Sequence, residues 1–266
     1  MTKVLGIVGS PRREKGRSHQ IVSRILEGAQ NAGAEVEMAH LIDEMPEYCV
    51  HCGYGCFTNG ECAREPAATV RSQAVDAADA LVICAPVYCW QPNGLTAALF
   101  DKVRLTTGPW TRDSQHGRPA LGIAVAGGTG TGVFPALQSI YAWLCLWKFR
   151  PMAPVPVTRF NLARVVKEAP AYGQKLATSG PQPFADTADL MLTYDALPSL
   201  AYGRIDEFRW LAEQTAAGLE SRGKAAAQVK VLQRLLDEGR ACRARGDARG
   251  EAERIIQAYQ AGVQAW

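Results

Sequence analysis

From Lys3 to Thr158 the chain alternates short, unbroken apolar runs with stretches of helical spacing. Lys3 to Gly9 (KVLGIVG) is a β-branched run ending at Gly-Ser-Pro, and Ser18 to Ala32 then carries Ile21, Val22, Ile25 and Leu26 one helical turn apart. Glu35 to Leu41 alternates as a second strand, Ala67 to Ala77 reads as a helix, and Leu81 to Ala85 (LVICA) is a fully apolar strand stopped by Pro86. Gly94 to Leu105 predicts a helix, Ala120 to Ala126 a fourth strand, Phe134 to Trp147 a helix, and Val155 to Thr158 a short fifth strand interrupted by Pro156. Strands that are apolar along their length and alternate with helices predict a parallel sheet covered on both faces, and right-handed crossovers make it doubly wound.

Beyond this point the pattern changes. Arg164 to Gly203 is rich in Pro, Gly and small residues and predicts a long connection with some helix. After Asp206 the chain turns helical, with apolar faces at Leu232, Leu235 and Leu236 and at Ile255, Ile256, Tyr259 and Val263, broken by "ARGDARGE" with Asp247 as a candidate N-cap. This predicts a domain over 1–203 and a C-terminal helical extension over 204–266, a hairpin that either closes over the core or forms an oligomer interface.

In a doubly wound sheet, ligands sit outside the carboxyl ends of the strands. Three loops there are chemically distinctive. "GSPRREKGRS" runs into a helix, where free backbone N–H groups and the helix dipole suit a phosphate, with Ser10, Ser18 and Arg12 as added donors. Taken alone, this loop reads equally as an ordinary strand-to-helix connection with Ser18 as N-cap. "PVYCWQPNG" places Tyr88 and Trp90 at a strand end, where aromatic faces can stack on a planar ring. "GGTGTG" (Gly127 to Gly132) is nearly free of side chains, so a ligand edge can approach the backbone. Neither a G-x-x-x-x-G-K-[ST] loop nor the G-x-G-x-x-G dinucleotide spacing is present.

Composition narrows the function classes. A formal net charge of +3 without a continuous basic stripe gives no nucleic-acid footprint. No apolar run reaches the roughly 20 residues that span a bilayer, and no leader pattern precedes Lys3, so the expected setting is the cytoplasm and not a membrane. Of the eight cysteines, four lie within the 47–63 loop as Cys49, Cys52, Cys56 and Cys62, a C-x2-C-x3-C-x5-C run. In a reducing compartment such a cluster points to metal or redox chemistry rather than to disulfides. Gly53, Gly55 and Gly60 let the backbone wrap tightly. Four thiolates suit either an iron-sulfur centre or zinc, with His51 as a substitute ligand for the latter.

"GSPR" with its downstream serine, "ADALVICAPVYCWQPNGLTAALFDKV" and the Gly-rich fourth-strand loop resemble the NADPH-dependent FMN reductase branch of the flavodoxin-like superfamily over Lys3 to Thr158. The four-cysteine run after the second strand resembles the iron-sulfur flavoprotein subgroup, although the middle spacing has one residue more than usual. The resemblance implies a five-stranded parallel sheet in the order 2-1-3-4-5. It implies FMN, with its phosphate at Ser10, Arg12 and Ser18 and its ring among Pro86, Val87, Tyr88, Cys89, Trp90, Asn93, Gly127, Gly128, Thr129 and Gly130. It implies a [4Fe-4S] cluster on Cys49, Cys52, Cys56 and Cys62, NAD(P)H or ferredoxin as donor, a small-molecule or protein acceptor, and a homo-oligomer, dimer or tetramer. The alternatives are an NAD(P)H-dependent flavin or quinone reductase with a structural zinc, and a non-enzymatic electron carrier.

Overall fold

A computed structural model describes every residue except 54, 57–59, 103–116, 201–202 and 224. The predicted helix tail at 103–105 therefore lies outside the described residues. The central strands are β1 (Lys3–Val8), β3 (Ala80–Tyr88) and β5 (Pro119–Val125), joined in parallel, with β2 (Glu35–His40) at one edge beside β1. β5 is buried at every position, which is why it reads as a continuous apolar run. Along β1, Val4 and Val8 face one layer while Leu5 and Ile7 face the other, as the two-residue period of a strand requires. The first layer is covered by α1 (Arg17–Asn31) and α5 (Leu162–Thr178). The second is covered by α2 (Pro66–Ala77), α3 (Gly94–Lys102) and α4 (Val133–Leu146), so the sheet is doubly wound.

Strand by strand, the sheet differs from the expected five. Among the described residues it has seven strands, with β2-β1-β3-β5-β6 as the main order. β3 does not stop at Pro86: it continues to Tyr88, because Pro86 still pairs with Val125 and its carbonyl accepts from Asn93 N–H at 3.0 Å. It then folds back as the two-residue antiparallel β4 (Gln91–Pro92). The fifth strand is split into β6 (Arg150–Pro151) and β7 (Val155–Val157), both parallel to β5. Pro154 lies between them and has no N–H to continue the ladder.

The stretch read as a long connection holds two helices, α5 and α6 (Thr187–Asp195). α5 contains Pro170 and Gly173, both of which look like breakers. They are instead where α5 meets α1: a Cβ on Gly173 would stand 1.8 Å from the Ile25 carbonyl oxygen, and one on Gly28 2.0 Å from that of Pro170. Close backbone approach, rather than helix termination, explains these residues.

Among the described residues the C-terminal segment holds three helices rather than a hairpin: α7 (Arg204–Ser221), α8 (Ala226–Ala244) and α9 (Ala248–Ala265). Asp247 does cap α9, accepting from Gly250 N–H at 2.8 Å. The three share an apolar cluster of Leu211, Leu235, Leu236, Ile255 and Tyr259 that also takes in Phe160 from just after β7, so these helices pack beside the sheet. Asp206 and Glu251 tie the helices together through Arg209 and Arg243. Among the described residues, no helix is long and apolar enough to cross a membrane.

Candidate functional site

The site is built at the carboxyl edge of β1, β3 and β5. After Val8 the chain is pinned by Gly9 N–H to the Cys84 carbonyl at 2.9 Å, then turns through a short 3-10 segment at Arg13–Lys15 into α1. The N-cap of α1 is Gly16, not Ser18, and no side chain caps it. The first-turn N–H groups are therefore left for another acceptor. Ser18 is buried one position into the helix, beside the Cys84 thiol, which burial pushes up to about 12 against the Ser18 hydroxyl.

The second loop is a tight hairpin whose two central residues, Cys89 and Trp90, sit at φ of 50° and 65°. Both-positive central dihedrals are the type that closes a two-residue hairpin, and they are strained for residues other than glycine. Asn93, buried at 2% exposure, lies behind the loop: its amide donates to the Gly9 carbonyl at 2.8 Å and its oxygen accepts from Thr96 at 2.7 Å. It locks the first loop to the second. The third loop turns at Gly128 and Gly130, with φ of 48° and 83°, and Gly130 N–H bonds to the Gly127 carbonyl at 2.8 Å.

These loops enclose a cleft of about 330 Å³ lined by Ser10, Arg12, Arg17, Ser18, Pro86, Val87, Tyr88, Val125, Gly127 and Gly128. Eight of the expected cofactor residues thus meet in one place. Cys89, Trp90, Asn93, Thr129 and Gly130 are not among its lining. Trp90 packs against Gly132 and beneath Arg204, whose guanidinium lies 5.1 Å from the ring, while the Thr129 carbonyl accepts from the Tyr259 hydroxyl at 3.1 Å. Arg17 and Val125 join the cleft unexpectedly; Arg17 reads in sequence as one more solvated cation beside Arg13 and Lys15.

The chemistry of the lining suits FMN. Hydroxyls, two guanidiniums and uncapped helix N–H groups stand at one end, where a phosphate belongs. An exposed Tyr88 and two glycines stand at the other, where a flat ring can stack and meet backbone.

The C-terminal helices reach this site through Glu207. Its carboxylate, 1% exposed, accepts from Gly132 N–H at 2.9 Å and Phe134 N–H at 3.1 Å, so it caps α4 from a distant helix. No local pattern in the sequence signals this. Burial raises the Glu207 carboxyl above its ordinary 4.5, outweighing the backbone N–H groups and Arg204 that favour its charge. A raised folded-state value means that stability falls as pH rises from 4.5 through that value. Glu207→Gln keeps an acceptor and is expected to stay within about 1 kcal/mol of wild type, whereas Glu207→Leu strands the N–H groups and costs about 2–3 kcal/mol. Urea melts check both: the wild type gains on the Gln variant as pH drops through the raised value towards 4.5, and equal stability of the Leu and Gln variants would contradict the capping role.

The cysteine loop leaves β2 and enters α2 at the same carboxyl edge. Cys49 and Cys52 are exposed, Cys56 and Cys62 are half-buried, and all are free thiols. Among the described residues, no three His, Cys, Asp or Glu side chains gather as a metal shell, and residues 54 and 57–59 of this loop lie outside them. The base of the loop is anchored. Cys62 N–H bonds to Thr69 at 3.0 Å, and Glu65 accepts from Glu47 N–H at 3.2 Å, pairs with Lys102 at 2.5 Å and binds Arg71. The Arg71 guanidinium lies within electrostatic reach of Cys62. The donor set, four thiols with a half-buried cation near one of them, suits a thiolate-ligated centre in its chemistry.

The sequence pattern of NADPH-dependent FMN reductases matches residues 2–158, more than half of the chain and all three loops. The chain belongs to that family. Among relatives, an iron-sulfur flavoprotein of Archaeoglobus fulgidus is 34% identical over 101 residues, 38% of this chain and 45% of that protein. The match to it thus spans less than half of its length. An iron-sulfur flavoprotein of Methanosarcina thermophila is 29% identical over 144 residues, 53% of this chain and 72% of the relative. In architecture, the FMN reductase fold here is similar to an FMN-dependent NADH-azoreductase from Bacillus anthracis solved with FMN, at TM-score 0.51, 17% identity and coverage of 67% and 100%. It is also similar to RosB solved with 8-demethyl-8-formylriboflavin-5'-phosphate, at TM-score 0.52, 12% identity and coverage of 80% and 87%. At such identities the likeness is one of fold.

Proposed function

We propose that this protein is an FMN-dependent oxidoreductase that passes electrons from NAD(P)H or a ferredoxin to a small-molecule or protein acceptor, with a [4Fe-4S] cluster on its four-cysteine loop. The observation that carries this reading is the convergence of three loops from β1, β3 and β5 on one cleft with a phosphate end and a ring end. Bound there, FMN would exchange electrons in pairs or singly, and a cluster would exchange them one at a time. Ser10, Arg12 and Ser18 hold the phosphate together with the free N–H groups of α1. Tyr88 and Val87 support one side of the ring, while Gly127 and Gly128 let its edge reach backbone. Asn93 keeps the first two loops in register, and Glu207 holds the start of α4 behind the third. Residues 1–203 form the flavin domain in this reading and residues 204–266 its cover.

Cys49, Cys52, Cys56 and Cys62 would ligate the cluster as thiolates, with Arg71 offsetting part of their negative charge. Support comes from the free thiols, from the loop's position at the flavin edge, and from the two relatives named as iron-sulfur flavoproteins. In the reducing cytoplasm such thiols stay available for metal. For protein prepared without oxygen, Cys56→Ser is expected to lose most of its iron and acid-labile sulfide while keeping FMN. Wild-type protein carrying zinc and no iron would instead select the flavin reductase with a structural metal.

A further inference from the structure

A second cleft adjoins the flavin cleft at Arg17, which lines both. It encloses about 450 Å³ between α1, the start of α5 and the C-terminal helices, with Arg159, Arg222 and Trp266 on its walls and Leu162 and Val166 as an apolar side. Three guanidiniums therefore face one cavity, and among the described residues none of them is held by a carboxylate. Like charges gathered without counter-charge are destabilising unless an anion joins them. Arg159 Nε is buried and has no acceptor among the described residues, and such an unmet donor is costly. Arg222, exposed at the end of α7, lies over the Trp266 ring with its guanidinium carbon 3.7 Å from the ring centre.

Planar guanidiniums that can bind two oxygens of a doubly charged phosphate at once, next to an aromatic and an aliphatic wall, match a phosphate ester carrying a flat ring. We infer that this cleft binds a phosphorylated nucleotide, separately from the flavin, through Arg17, Arg159 and Arg222, with its base against the Leu162 and Val166 wall. Two sources share that chemistry: the 2'-phosphoadenosine end of NADPH, and a free nucleotide. The first source rests on the oxidoreductase reading above; the cleft itself does not. Arg159 and Arg222 stand outside the family match at 2–158, so this site combines the FMN reductase fold with the C-terminal helices.

The test is calorimetric titration of the full chain, as isolated with its cofactors, using 2'-phosphoadenosine 5'-phosphate as probe. The wild type is expected to bind it saturably, and Arg222→Gln or Arg159→Gln to weaken it about tenfold with flavin content unchanged. Arg222 is exposed, so its variant keeps the fold even if the Arg159 variant does not. Where the KM for NADPH also rises about tenfold and that for NADH does not, the nucleotide is the donor itself. Where both KM values hold while probe binding is weakened, it is a separate nucleotide. Absence of saturable probe binding, or binding unchanged in both variants, overturns the inference. Protein that binds the probe but contains no flavin would instead count against the oxidoreductase reading alone.

Discussion

Replacing Arg12 and Ser18 together by alanine is expected to weaken FMN binding by about a hundredfold or more. A charge-assisted hydrogen bond to phosphate contributes roughly 1.5–3 kcal/mol, and the pair would remove a guanidinium and a hydroxyl from the same group. The effect is local because neither residue carries the fold. Arg12 is exposed, and Ser18, though buried, is a small residue that alanine replaces without a void. Alanine also suits the first turn of α1. What survives in the double variant is binding through the α1 N–H groups, Arg17 and the ring end of the cleft. Fluorescence titration of the flavin-free protein measures the ratio, and a change of less than about threefold would move the phosphate elsewhere.

Gly173→Leu is expected to destabilise the protein by about 3 kcal/mol or more, and to weaken flavin binding as a consequence. The added Cβ alone would fall 1.8 Å from the Ile25 carbonyl oxygen, a backbone atom inside α1 that cannot rotate away. α1 and α5 would have to separate, opening the layer formed by Ile21, Ile25, Val165 and Leu176. The start of α1 carries Ser18 and the uncapped N–H groups, so strain at this crossing is passed to the phosphate end of the site. Urea unfolding measures the loss. A variant as stable as wild type would mean that α5 does not pack this closely.

How far the fold could be read from sequence depended on whether its causes were local. β1, β3 and β5 were legible because burial on both faces leaves an unbroken apolar run. The three loops were legible because glycine, serine and proline at strand ends mark turns, whichever ligand they serve. α5 was hidden for the opposite reason: Pro170 and Gly173 are local breakers kept inside a helix by a contact with α1, far away in sequence. The position of Asn93 beside the loops was legible, but its partner Gly9 is 84 residues away, so the sequence could not tell a ligand contact from a lock between loops. Glu207 left no signal at all, since a carboxylate at the start of a helix reads as complementing its own dipole, not as the cap of another helix 73 residues back. The cysteine quartet stands out in the sequence by its spacing, but four thiols suit iron and zinc alike, so spacing does not choose between them.

The most direct test is to compare FMN with riboflavin as ligands of the flavin-free protein. If the three loops form a flavin mononucleotide site with its phosphate at the start of α1, FMN saturates at about one per chain and binds about a hundredfold more tightly than riboflavin. Equal affinity for the two, or no saturable binding of either, would contradict the assignment of the cleft.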